Sequence, residues 1–240
     1  MREIPLVLQA RMGSTRLPGK SMLDLAGAPL VGRILERVLR CREASAVVLA
    51  TTERPEDDVL AELGEEYGAV VFRGSENDLV DRYLQAARSL DASAVARLPA
   101  DNPVPEPAEI DRIVRYHRDS GNAFSSNLAE VLGNGYPDGI GAEVFAVSAL
   151  EEVWSTVDDP ALREHPHRNF YDYDGGRAVD PERFPVGTVE CPEEFRRPDV
   201  VLDVNTRPQY ELMRALYEEL YPADPEFGIR DVIAWMDARP

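Results

Sequence analysis

The sequence predicts an α/β fold, a mainly parallel mixed sheet flanked by helices, and three observations carry that expectation. Short apolar runs alternate with stretches of helical periodicity through the first half of the chain, which is the pattern of βαβ units. The runs are almost continuously apolar, as strands covered on both faces require. At 240 residues and 44% hydrophobic content the chain can bury a core of ordinary size.

Residues 4–8, 46–50, 69–72 and 94–98 read as the buried strands. Between the first two, residues 30–41 place Leu30, Val31, Ile34, Leu35, Val38 and Leu39 at helical spacing, with Pro29 at the start, where a missing N–H costs least. Residues 55–67, 77–90 and 106–118 read as further helices. The second half is less regular. Residues 122–126 and 143–147 resemble strands and 149–155 a helix, whereas 158–174 are rich in charge and aromatics and give no clear periodicity. Gly and Pro punctuate short β-prone pieces in 177–190. A late strand is expected at 200–204, then amphipathic helices at 208–221 and 228–238. No repeat, low-complexity tract or linker interrupts the chain, so one domain over 1–240 with a small β-rich insertion at about 125–190 is the economical expectation.

Composition removes several function classes. A net charge of −18 argues against a nonspecific nucleic-acid binder or a protein held on anionic membrane, both of which need a basic face. The charge is nonetheless uneven: residues 9–42 carry seven cations against Asp24 and Glu36, a local +5 inside an acidic protein. An anionic ligand entering near that segment would meet a positive site. Cys41 and Cys191 form neither a disulfide framework nor a metal spacing. No signal-peptide stretch or membrane-length apolar run is visible, so a cytoplasmic location is expected.

The chain contains one lysine, Lys20, and uses arginine for every other basic side chain. That lysine closes the segment Gln9-Ala10-Arg11-Met12-Gly13-Ser14-Thr15-Arg16-Leu17-Pro18-Gly19-Lys20, directly after the first strand. A compact ammonium in a loop rich in Gly, Ser and Arg at the carboxyl end of a parallel strand is suited to phosphate. The segment narrowly misses the P-loop of a kinase. Five residues instead of four separate Gly13 from Gly19, and Met22 to Pro29 intervene before the helix that a Walker loop needs immediately after its lysine. G-x-G-x-x-G is absent, so a dinucleotide fingerprint is weaker still.

The same segment resembles the signature loop of sugar-nucleotide-type nucleotidyltransferases, in particular the cytidylyltransferases of spore-coat polysaccharide and 3-deoxy-manno-octulosonate metabolism. Arg11, Ser14, Arg16, Leu17, Pro18 and Lys20 match R-x-x-S-x-R-L-P-x-K, and Gly27-Ala28-Pro29 matches the G-x-P turn that follows. Similarity continues through Gly74-Ser75 to Asp81-Arg82-Tyr83, Ala100-Asp101-Asn102-Pro103, Tyr136-Pro137-Asp138-Gly139, Glu143-Val144-Phe145 and Arg163-Glu164-His165. The resemblance implies a Rossmann-like three-layer nucleotidyltransferase fold and Mg2+-dependent transfer of a nucleotide from CTP, with GTP as the alternative donor, to a small anionic acceptor: a sugar acid, phosphonate or small phosphate. It also implies a homodimer. A guanylyltransferase acting on a small phosphate, a noncatalytic nucleotide-binding subunit and a P-loop-type kinase are the alternatives.

On this resemblance Arg11, Lys20 and Asp101 are the expected catalytic residues. Leu8, Gln9, Ala10, Arg11, Gly13, Ser14, Arg16, Lys20, Ser75, Arg82, Ala100 and Asp101 are expected to contact the nucleotide. Asp138, Glu143, Arg163 and His165 are expected at the acceptor. Asp101 follows a predicted central strand, where a carboxylate can hold Mg2+ against a triphosphate. The second metal position departs from the family pattern V-D-T: this chain reads Leu202-Asp203-Val204-Asn205-Thr206, so Asp203 and Asn205 both qualify, and strand alternation would place them on one face. Asn205-Thr206 could equally cap the helix that follows. His165 and His167 lack a third ligand at sensible spacing, which argues against zinc.

Overall fold

A computed structural model of the protein describes residues 3–14, 16–129 and 131–239; Thr15 of the first loop lies outside them. In chain order the strands are β1 (Leu6–Gln9), β2 (Asp24–Leu25), β3 (Ala28–Pro29), β4 (Val47–Thr52), β5 (Val70–Gly74) and β6 (Ala94–Pro99). They continue with β7 (Phe124–Ser126), β8 (Glu143–Ala146), β9 (Tyr171–Asp172), β10 (Arg177–Ala178) and β11 (Val186–Gly187). The helices are α1 (Leu30–Val38), α2 (Asp58–Glu66), α3 (Leu79–Ser89), α4 (Pro107–Ser120), α5 (Val147–Thr156), α6 (Pro160–Glu164), α7 (Arg207–Leu220) and α8 (Ile229–Asp237).

Seven strands form one sheet in the order β11-β7-β8-β6-β1-β4-β5. β1 lies between β4 and β6 and runs parallel to both, β5 runs parallel to β4, and β8 runs antiparallel to β6 and β7. The expected mixed, mainly parallel sheet is therefore present. Side-chain alternation along β1 builds three layers. Leu6 and Leu8 enter a core with Ile34 of α1, Leu60 of α2, Ile113 of α4, Met213 of α7 and Val232 of α8. Val7 enters the opposite core with Tyr83 of α3 and Leu150 of α5. Each such fully buried aliphatic side chain stabilises the fold by about 1.5–3 kcal/mol relative to its exposed state. β9, β10 and β11 supply the β-rich pieces expected after residue 125, and β11 extends the main sheet through β7.

Two local features set the entrance to the site. Lys20–Met22 is a single 3-10 turn, and the β2–β3 hairpin then separates it from α1. The hairpin turn places Ala26 and Gly27 at φ of 51° and 87°, as a two-residue turn of this kind demands. Arg33 of α1 donates from Nε to the Leu25 carbonyl at 2.8 Å and from Nη2 to the Ala26 carbonyl, which fastens the hairpin to the helix. This is the physical reason the loop is no Walker loop: its lysine ends in a turn and a hairpin rather than at a helix N-terminus.

One expected element is absent. Residues 200–204 do not form a strand; a single parallel bridge joins Val201 to Asp138. Their backbone groups are satisfied one by one: Asp138 N donates to the Val200 carbonyl, Leu202 N to the Asp138 carbonyl, and Val204 N to the Asp101 carbonyl at 2.7 Å. The segment is extended and apolar but runs beside loops rather than beside an open sheet edge, so no ladder can propagate. In 158–174, α6 and a 3-10 turn at Pro166–Asn169 precede β9.

Candidate active site

At the carboxyl ends of β1 and β6 a cleft of about 330 Å³ opens, lined by Gln9, Ala10, Arg11, Gly13, Ser14, Arg16, Lys20 and Ser21 from the first loop. Leu79, Arg97, Pro99, Ala100 and Asp101 line the floor and far side, and Glu164 and His165 cover one edge. This is where parallel α/β sheets bind ligands. The loop is braced from below. Asp57, 1% exposed, accepts the Met12 N–H at 2.7 Å and the Thr52 hydroxyl, while Leu17 is buried as an apolar anchor. Ser21 Oγ donates to the Arg11 carbonyl at 3.3 Å, and Ser14 Oγ accepts the Leu17 N–H at 3.3 Å. Gly19 takes the left-handed conformation (φ 69°) that turns the chain so that Lys20 points inward.

The lysine meets an acidic pair. Lys20 Nζ lies 3.3 Å from Asp101 Oδ2 and donates to the Val204 carbonyl at 2.8 Å. Asp203 shares the cluster: burial first, then the Asp101 charge, pushes its carboxyl above the ordinary range, with Lys20 opposing. Asp203 Oδ2 accepts from the Asn205 amide, and the buried Oδ1 has no hydrogen-bond partner among the described residues. The Asn205 and Thr206 N–H groups both donate to Gln209 Oε1 at 2.9 Å, capping α7. Asn205 thus contributes its backbone to the helix cap and its side chain to the acidic cluster. On the opposite edge Arg11 lies 3.7 Å from Glu164, and Arg16 is exposed. Burial, the largest influence, lowers the pKa of His165.

The structure brings together Gln9, Ala10, Arg11, Gly13, Ser14, Arg16, Lys20, Ala100, Asp101 and His165 around the cleft, with Asp203 and Asn205 beside Asp101. Leu8 is fully buried in β1, so only its backbone is near. Five other expected residues are not among those lining the cleft. Arg82 is 1% exposed and its guanidinium donates to the Ser75 and Glu76 carbonyls, which makes Ser75 and Arg82 a brace for the loop before α3. Arg163 donates from Nε to Asp78 Oδ2 at 2.7 Å and from Nη1 to the Trp154 and Val157 carbonyls, clamping α6 to α3 and α5. Glu143 is 1% exposed and paired with Arg97, and Asp138 holds the 200–202 segment through its backbone. Sequence reasoning missed Ser21, Leu79, Arg97 and Pro99. Arg97 had a signal, a cation inside the otherwise apolar run 94–98.

A phosphate-type loop at the end of a central parallel strand, its lysine against Asp101 in a shared cleft, defines a nucleotidyltransferase. The model of the cytidylyltransferase family matches residues 6–181, and the chain belongs to that family. Spore coat polysaccharide biosynthesis protein SpsF of Bacillus subtilis is 28% identical over the whole chain and 96% of its own length. An uncharacterized protein of Methanocaldococcus jannaschii is 30% identical over 98% of this chain and 90% of its own length. Among solved structures, a cytidylyltransferase from Leptospira borgpetersenii superposes with a TM-score of 0.86 at 30% identity, covering 99% of this chain and 95% of that one. Among the described residues no helix is long and apolar enough to cross a membrane.

Proposed function

We propose that this cleft transfers CMP from CTP to a small anionic acceptor and releases pyrophosphate, with Mg2+ required. The observation that carries the reading is the contact of Lys20 with Asp101, with Asp203 beside it, at a cleft lined by the loop after β1. The loop offers backbone N–H groups with Arg11, Arg16 and Lys20 for the β- and γ-phosphates, and catalysis is then chiefly positioning and stabilisation of charge on the leaving pyrophosphate.

The residues fit a hard divalent cation. Among the described residues no cluster of three or more His, Cys, Asp or Glu could hold a metal by itself, but magnesium sites commonly combine one or two carboxylates with substrate phosphates and water. Asp101 and Asp203 are a like-charged pair, and the orphaned Asp203 Oδ1 is an acceptor waiting for a positive partner. These two, with the Asn205 carbonyl oxygen as a further candidate, would hold the ion. When bound it would supply charge neutralisation at the α-phosphate. The chain's own groups do the rest. The acceptor oxygen bonds to the α-phosphorus, the bridge to the β-phosphate breaks with its electron pair going to the departing pyrophosphate, and a hydroxyl acceptor loses its proton to solvent or to that pyrophosphate. His165, whose pKa is lowered chiefly by burial, and Glu164 line the cleft and are the groups we assign to the acceptor.

A matrix of CTP, GTP, UTP and ATP against sugar acids, phosphonates and small phosphates, read by pyrophosphate release with and without Mg2+, tests the reading. Release should require CTP, metal and one acceptor class; ADP or CDP as the product would show a kinase instead.

A further inference from the structure

At the cleft floor, where Arg97 reaches the lining, begins a buried charged pair that the phosphate chemistry does not use. Glu143 is 1% exposed and Arg97 9%. Arg97 Nη1 donates to Glu143 Oε2, and the Tyr173 hydroxyl donates to Glu143 Oε1 at 2.8 Å. Burial, the largest single influence, opposes the Glu143 charge, yet Arg97, His167 and the Tyr173 hydrogen bond together outweigh it and hold the carboxyl below the ordinary range. Such a pair is seldom retained for stability, since packed apolar residues often do as well. Its position shows what else it does.

Arg97 also faces the phenol oxygen of Tyr83, which is 1% exposed. The Tyr83 hydroxyl in turn donates to Gln9 Oε1 at 2.8 Å. Val7 and Gln9 share the α3 side of β1 by strand alternation, which is why the Gln9 side chain meets Tyr83. The direction of every proton along this line is fixed. A carboxylate only accepts and a guanidinium only donates, so the single phenolic proton cannot point at Arg97 and is aimed at Gln9. An amide whose oxygen is fixed in this way turns its NH2 to the other side. Gln9 lines the cleft, and among the described residues its Nε2 has no hydrogen-bond partner.

The geometry points to a base-reading device in which Glu143, Arg97 and Tyr83 hold Gln9 with its amide donors facing the nucleotide, so that the site takes cytosine and refuses uracil. Cytosine presents two adjacent acceptors, O2 and N3; uracil carries a hydrogen on N3, which would meet a donor. The assignment rests on the reading above that the nucleotide occupies this cleft with its phosphates on the loop from Arg11 to Lys20, and it adds that the base lies at the end of β1, where Gln9 lines the cleft. Gln9 would touch the base, whereas Tyr83, Arg97 and Glu143 are positioning residues that act through it. The role also accounts for a costly buried pair directly below a binding site: an apolar replacement would pack but could not set the polarity of the amide.

Calorimetric titration of CTP and of UTP into the full chain with Mg2+ tests this. The wild-type protein should prefer CTP. Tyr83→Phe, which frees the amide to rotate, should lower the CTP-to-UTP affinity ratio about tenfold. A merely structural loss would weaken both nucleotides together and leave the ratio alone. Gln9→Glu keeps an acceptor for Tyr83 but presents an acceptor to the base, and should invert the preference towards UTP. Gln9 lies at the cleft surface, so this variant decides the matter even where Tyr83→Phe folds poorly. A wild-type ratio in Gln9→Glu overturns the device while leaving the cytidylyltransferase reading intact. A wild-type protein that does not distinguish CTP from UTP removes the base assignment and the device together.

Discussion

Two charge clusters stand close together in this molecule and differ in charge balance and in exposure. Arg97 and Glu143 are a neutral pair, buried, with Tyr173 filling the second carboxylate oxygen. Lys20, Asp101 and Asp203 carry one cation against two carboxylates, are partly exposed, and leave Asp203 Oδ1 without a partner. The first is balanced and mostly buried, with Arg97 alone of the two reaching the cleft lining. The second is short of positive charge where a metal–triphosphate complex would supply it. The comparison teaches that an unbalanced, partly exposed charge set is suited to a charged ligand, whereas a balanced buried pair is suited to support.

The largest expected effect is on the closed pair. Arg97→Met leaves a buried, uncompensated carboxylate and should destabilise folding by about 3–5 kcal/mol, whereas Arg97→Met with Glu143→Leu should recover most of that loss. Urea denaturation of the single and double variants measures it, and additive losses would contradict the pairing. Next comes the open cluster. Lys20→Ala or Asp101→Ala should each lower turnover by roughly 10²–10³, about 3–4 kcal/mol of barrier, with little change in the urea midpoint. Near-normal pyrophosphate release in either variant would remove the site assignment.

Acid stability sharpens the contrast between buried and open groups. Burial pushes His117 and His167 down from the ordinary histidine range to about 4. Between pH 6.5 and about 4 the unfolded chain therefore binds protons that the folded chain does not. Stability should be full above that window and fall as pH drops through it, by about 3 kcal/mol for each histidine. His117→Gln should flatten the acid limb of a denaturation-midpoint profile; an unchanged limb would refute the assignment. The smallest effect is a gain. Asp203→Asn removes the repulsion with Asp101, so the melting temperature at neutral pH should rise, by at most about 1 kcal/mol of stability, while turnover falls. The carboxyl is raised in the folded state, so this gain should disappear as the pH is lowered and the acid protonates.

Much of the fold was readable because its strands are buried on both faces and its helices repeat at one period: residues 4–8, 46–50, 69–72 and 94–98 all became sheet strands, shifted by a residue or two. The first loop was equally readable, since one contiguous segment carries its chemistry and a single lysine marks its end. Residues 200–204 misled because apolar, extended sequence fixes conformation but not the presence of a partner edge. Arg163 and Arg82 drew attention as cations within a matching motif, and it took the packing of α3 against α6 to show that their guanidinium groups serve carbonyls and Asp78.

The chain by itself determined the α/β layering and the loop from Gln9 to Lys20, because periodicity and local spacing are properties of neighbours in sequence. Tertiary structure decided which carboxylate was left unsatisfied, which arginines face the cleft, and that Tyr83 lies against Gln9, 74 residues away. Those outcomes depend on desolvation and on the direction of single hydrogen bonds, which exist only once distant segments have closed around one another.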